Sequence, residues 1–212
     1  MEIMRHETQG YKGLVVPYTL FKQEQPKGLL IVLPGLVYTA QAPLLHYSTG
    51  VYIDRGFDVL QINYRYSTPD YDHFEQSELI TALNFDVHTV INILLDNESY
   101  KDYYLMGKSL GTIAVSSLLK METFSEAKAV WMTPLLHKED VYQAMLKHNA
   151  DGLCFIGSKD PYYQEERFNR LKHNPSLSLF CIPEADHSLE LKKDTQGSIK
   201  ILSDLMDQIN SF

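Results

Sequence analysis

Short apolar runs alternate with segments of helical spacing along most of this chain, and that alternation restricts the fold more than any other feature. The runs Leu29–Leu33, Val59–Asn63, Tyr103–Met106, Ala129–Met132, Leu153–Ile156 and Leu177–Ile182 are the length of buried strands. Between or after them lie helical stretches near Leu44–Arg55, Ser77–Leu95, Leu110–Met121, Lys138–Lys147, Tyr163–Leu171 and Ser198–Ile209. Strands that are apolar throughout are buried on both faces, and helical crossovers place successive strands in parallel. The longest helix is the clearest, because Leu79, Leu83, Val87, Val90, Ile91 and Leu94 recur at helical spacing and define a core-facing stripe. The start of the chain differs. Ile3–Thr8 and Leu14–Phe21 flank a Gln9-Gly10 turn signal and read as an antiparallel pair at one sheet edge. With 212 residues and neither linker nor internal repeat, residues 1–212 are expected to form one α/β domain around one mainly parallel sheet.

Gly107-Lys108-Ser109-Leu110-Gly111 stands where one of these strands meets the next helix. A serine at such a turn is held in a strained backbone conformation with its hydroxyl raised above the sheet edge. Strand and helix backbones pass so closely there that a side chain at either glycine would clash. The helix start adds free N–H groups and a positive dipole end, which favour a developing oxyanion. A phosphate-binding loop is the competing reading of Gly107-Lys108-Ser109. It needs a further glycine five positions upstream, where Asp102 stands and would repel phosphate.

A serine nucleophile needs a base to take its proton and a carboxylate to orient that base. The run ending at Ile182 leads into Pro183-Glu184-Ala185-Asp186-His187-Ser188, which puts His187 in a loop just beyond a strand. The preceding run leads into Gly157-Ser158-Lys159-Asp160, so Asp160 also lies just past a strand end. Asp186 and Glu190, close to His187 in sequence, compete with Asp160 for the carboxylate role. A sequence neighbour seldom folds back onto a ring aimed elsewhere, so Asp160 is preferred.

The order Ser109, Asp160, His187, with the motifs around it, resembles the α/β-hydrolase superfamily over most of the chain, and its small carboxylesterase-like serine hydrolases in particular. Leu33-Pro34-Gly35 is similar to the oxyanion loop, with one glycine where relatives often have His-Gly or a glycine run. The segment Gly56 to Arg65 resembles the strand after the first helix. Gly107 to Gly111, Gly157 to Asp160 and Asp186-His187-Ser188 match the nucleophile, acid and histidine loops. The resemblance implies that Ser109 attacks an acyl carbonyl, His187 shuttles the proton and Asp160 orients the ring. It implies that the backbone N–H groups of Leu110 and Leu36 hold the oxyanion. Cleavage of an ester or related acyl bond without cofactor or metal is the expected activity. A thioesterase, a lactone hydrolase, a small peptidase or a non-catalytic binding protein of the same fold are the alternatives. Only Thr133 to Leu136 and one helix follow the Ala129–Met132 strand, where relatives often insert a lid, so no large lid is expected.

The remaining polar and aromatic residues receive weaker assignments. Tyr38, Tyr64 and Tyr66 follow strands at the expected catalytic edge and are candidate pocket residues, as is Leu135. Lys108 is expected to point away from the pocket as a packing or surface residue. Asp70, Asp72, His73 and Glu75 lie close enough to suggest a cation site but read as solvated or helix-capping. The absence of a basic patch argues against nucleic acid, and the net charge of −8 favours solubility without naming a substrate; the small acyl substrate is what the resemblance implies. Cys154 and Cys181 fall in apolar strands and read as reduced core residues. With no signal-like or membrane-spanning run, the expected location is cytoplasmic.

Overall fold

The computed structural model describes all residues 1–212. Eight strands form one sheet: β1 (Glu2–Gln9), β2 (Val15–Lys22), β3 (Leu29–Leu33), β4 (Asp58–Ile62), β5 (Tyr103–Lys108), β6 (Lys128–Met132), β7 (Gly152–Gly157) and β8 (Leu177–Ile182). Their spatial order is β1-β2-β4-β3-β5-β6-β7-β8. All pairings from β4 to β8 are parallel, whereas β1–β2 and β2–β4 are antiparallel. The antiparallel edge and the parallel remainder agree with the alternation in the sequence, with element ends moved by a few residues. The Gln9-Gly10 turn is longer than expected, because Tyr11–Gly13 forms a short 3₁₀ turn before β2.

The helices are α1 (Pro43–Asp54), α2 (Gln76–Leu95), α3 (Gly111–Leu118), α4 (Glu139–Lys147), α5 (Glu165–Leu171) and α6 (Thr195–Ser211). They cover both sheet faces, and strand alternation explains how. On β3, Leu29, Ile31 and Leu33 join the cluster that contains residues of α2, α3, α4 and α5. Leu30 and Val32 point the other way, into the cluster that contains α1 and α6. Both sets are fully buried, as a two-sided parallel strand requires. In α2, Leu83, Val87, Val90, Ile91 and Leu94 are buried and Leu79 packs against them. By length and apolar content α2 also matches a bilayer span, but that stripe is occupied by the core.

Topology positions the site. From β3 the chain crosses to β4 on one side, then returns through α2 to β5 on the other side. The loops after β3 and β5 therefore diverge around a crevice at the carboxyl edge, the usual place for ligands in such sheets. Only residues 133–138 connect β6 to α4, so no lid is inserted there. Cys154 is buried and Cys181 half-buried; both are free thiols.

Candidate active site

Ser109 follows the last residue of β5 and precedes α3. Its φ of +52° lies in the left-handed region that a side-chain-bearing residue enters at a cost. Its N–H donates to the Met132 carbonyl at 3.0 Å, which ties the turn to β6. The flanking glycines make the turn possible. A Cβ on Gly111 would lie 1.9 Å from the Leu33 carbonyl oxygen, and one on Gly107 would lie 2.8 Å from the Gly111 carbonyl oxygen. Helix and strand thus approach at backbone distance, and the serine between them is lifted out of the sheet.

His187 comes from the loop after β8. Its Nε2 lies 2.8 Å from Ser109 Oγ, and its Nδ1 lies 2.7 Å from Asp160 Oδ2. Asp160 is 4% exposed, and its other oxygen accepts from the Tyr162 N–H at 2.8 Å. The carboxylate is thus fixed at both ends. Asp186 does different work: its Oδ1 accepts from the N–H groups of Ser188 and Glu190, closing the turn that presents His187. The loops after β7 and β8 meet closely at Gly157, where a Cβ would lie 2.0 Å from the Ala185 carbonyl oxygen.

The two expected oxyanion donors flank this serine. The N–H groups of Leu110 and Leu36 lie outside helix and strand, and neither donates to any acceptor in the chain. A Cβ on Gly35 would lie 3.5 Å from Ser109 Cβ, so the loop after β3 borders the serine directly. Gly35 N–H donates to the Tyr38 carbonyl at 2.9 Å and Tyr64 hydroxyl donates to the Pro34 carbonyl, which together set the shape of that loop.

Several assignments need correction. Tyr66 is buried rather than presented to a ligand, and Tyr64, which stacks on it, is largely buried and reaches only the cavity lined by Arg5 and Arg65. Tyr66 hydroxyl donates to Asp86 Oδ2 at 2.7 Å, inside the fold. Burial raises both phenols above their ordinary range, and Asp86 adds to the effect on Tyr66. Tyr38 does line a cavity, the one behind the histidine loop, but its hydroxyl accepts from the Leu44 N–H at 3.0 Å and anchors the start of α1. Leu135 is 7% exposed and belongs to the main core cluster. Asp70, Asp72, His73 and Glu75 are all exposed, in keeping with the solvated reading. Glu75 stands at the N-cap of α2 but makes no capping bond through its side chain.

Of the two roles expected for Lys108, packing and surface charge, the structure shows packing. Lys108 is 1% exposed, and its Nζ donates to Thr133 Oγ1 at 2.6 Å and to the His187 carbonyl at 2.8 Å. The Tyr38 ring lies 4.9 Å from the same nitrogen. One ammonium therefore joins the loops after β3, β6 and β8. Burial pushes it down to about 8, against the pull of Asp160 and Asp186. Strand alternation carried the signal: Lys108 shares its β5 face with Tyr104 and Met106, which point into the α1–α6 cluster. Tyr162 was also missed. Its ring meets His187 edge-on at 5.1 Å and stacks on His137 at 4.9 Å, forming an aromatic wall beside the base. Leu36 and Val37, 43% and 78% exposed, add an apolar rim on the opposite loop.

The largest cavity, about 890 Å³, lies behind the histidine loop, between Ser188–Leu191 and the start of α6, and includes neither Ser109 nor His187. The hydrogen-bonded serine, histidine and aspartate are the candidate reactive centre, because volume alone supplies no nucleophile.

A family profile described as an alpha/beta hydrolase domain matches residues 38–212. No curated protein matches the chain by sequence. Among solved structures, an esterase from Pyrococcus furiosus superposes with a TM-score of 0.75 at 14% identity, over 99% of this chain and 91% of that one. An alpha-beta serine hydrolase homologue from Coxiella burnetii gives 0.72 at 12% identity, over 98% and 96%. A serine hydrolase from Xanthomonas campestris, described as lacking a lid, gives 0.71 at 13% identity, over 99% and 93%. At these identities the likeness is one of fold.

Proposed function

The chain belongs to the alpha/beta-hydrolase family, and from that premise we propose that it is a serine hydrolase of carboxylic esters, acting through Ser109, His187 and Asp160. The observation that carries this reading is the continuous pair of hydrogen bonds from Ser109 Oγ through the His187 ring to the buried Asp160 carboxylate.

Ser109 Oγ attacks the acyl carbonyl carbon as His187 Nε2 takes its proton. Asp160 keeps the proton on Nδ1 and stabilises the imidazolium that forms. The carbonyl oxygen gains charge and is received by the N–H groups of Leu110 and Leu36, neither of which has a partner in the chain to give up. When the tetrahedral species collapses, His187 returns the proton to the leaving oxygen and the acyl group stays on Ser109. Water then repeats the sequence, with His187 as base, and frees the acid. The absence of an inserted lid favours substrates that reach the serine from solvent, and the Leu36–Val37 rim and Tyr162 wall favour a short apolar or aromatic acyl group.

A p-nitrophenyl ester series of increasing acyl length tests this reading, run beside matched thioesters, lactones and peptide anilides. The expected result is turnover of esters with a preference for short acyl chains. A preference for thioesters, lactones or amides would replace the ester assignment. No turnover of any of them would favour a binding protein that retains the fold.

A further inference from the structure

The chain has five arginines, and the fold engages three of them. Arg55 donates to the Ile209 carbonyl, Arg167 to Glu139 and the Leu136 carbonyl, and Arg170 to Glu166. The side chains of Arg5 and Arg65 make no hydrogen bond, ion pair or ring contact. Both line one cavity of about 450 Å³, together with His6 and the Pro34-Gly35-Leu36 turn. No aspartate or glutamate lines it, although the chain as a whole carries a net charge of −8. The two arginines come from separate elements, Arg5 from β1 and Arg65 from the segment after β4, so the fold brings them together. Gly35 of the same turn also borders Ser109, since a Cβ on it would lie 3.5 Å from Ser109 Cβ.

We propose that this cavity is a substrate subsite for an anionic group, a carboxylate or a phosphate, carried beyond the bond that Ser109 cleaves. The inference rests on the serine-hydrolase reading and names the class of ester it takes. A guanidinium offers a planar fork of donors that matches either anion. Free forks lose no internal partner when they bind one. With no carboxylate on the walls, the cavity presents local positive potential on an otherwise negative molecule, which concentrates anions at the site. Gly35 both lines the cavity and borders Ser109, so an ester with its carbonyl at the serine can extend its anion toward the arginines.

Two ester series test the proposal and separate the anion's source. One compares monoethyl esters of dicarboxylic acids with ethyl alkanoates of equal length. The other compares the acetyl ester of 2-hydroxyethyl phosphate with neutral acetyl esters. In at least one series kcat/KM of the anionic ester should exceed its neutral counterpart by about tenfold or more. That ratio should fall toward one in the Arg5→Gln/Arg65→Gln double variant, shrink at high salt, and invert in Arg65→Glu. Both side chains are exposed and unpaired, so the variants should retain the wild-type thermal midpoint. Equal rates for charged and neutral esters in both series, or a ratio retained in the double variant, would overturn the proposal. If a fluorophosphonate labels Ser109 but no anionic preference appears, only the subsite is lost. If Ser109 is unreactive, the hydrolase reading falls, and calorimetric titration with adipate and with inorganic phosphate still tests the cavity. Binding abolished in the double variant supports it, whereas no binding, or binding unchanged by the substitutions, overturns it.

Discussion

Asp160 and Asp186 lie on adjoining loops, yet the structure gives them separate tasks. Asp160 contacts the His187 ring, while Asp186 closes the backbone turn that carries it. Asp160→Asn should therefore keep the fold and lower kcat by roughly 10³–10⁴, since the orienting charge is lost while the shape is retained. Asp186→Asn should cost much less, because an amide oxygen can accept the same N–H bonds. Steady-state kinetics and thermal midpoints for both variants check this; an inactive Asp186→Asn beside a near-normal Asp160→Asn would reverse the assignment. Lys108 gives a prediction about stability. Its folded pKa, about 8, lies below the ordinary lysine value of 10.5, so between those pH values the unfolded chain binds the extra proton. The burial penalty is then fully present below pH 8 and is relieved as pH rises toward 10.5. Its size is on the order of 3 kcal/mol. Urea unfolding of wild type and Lys108→Met at pH 7 and pH 10 should show the wild type gaining stability relative to the variant at the higher pH. Parallel pH dependences would contradict this.

At the scale of elements, the site is made by close approach of backbones. α3 touches the end of β3 at Gly111, and the loop after β8 touches β7 at Gly157. Neither neighbour can yield cheaply, since both contacts are with main-chain carbonyls. Gly111→Ala should therefore destabilise by about 3 kcal/mol or more, the range of strongly disruptive substitutions, and lower the thermal midpoint by about 6 °C or more. Activity should fall further than the folded fraction, because any retreat of α3 displaces both Ser109 and the Leu110 N–H. Calorimetry with activity per folded molecule separates the two effects. An unchanged midpoint would show that the approach at Gly111 is looser than described. Tyr64 and Asp86 belong to the same scale. One holds the Pro34 carbonyl, and the other joins Tyr66 and the Tyr11 N–H, linking α2 to the β1–β2 edge.

Across the whole molecule, the alternation of apolar runs and helical segments was sufficient to read the parallel sheet, its antiparallel edge and the absence of a large insertion after β6. That Ser109, His187 and Asp160 would meet was legible because each follows a strand, and strand ends of one parallel sheet share an edge. Side-chain direction was the illegible part. Tyr64 and Tyr66 also follow a strand, but they turn inward to satisfy Pro34 and Asp86. Lys108 has a charge that suggests solvent, but its strand face sends it beneath the histidine loop. The pairing of Arg5 with Arg65 depends on a β1–β2–β4 register that local sequence does not display. The central claim is that this topology delivers one activated serine. It is tested most directly by intact-mass and peptide mapping after reaction with a fluorophosphonate. One adduct is expected, on Ser109, absent from Ser109→Ala and strongly slowed in a variant lacking His187; an unlabelled wild type, or equal labelling of Ser109→Ala, would contradict it.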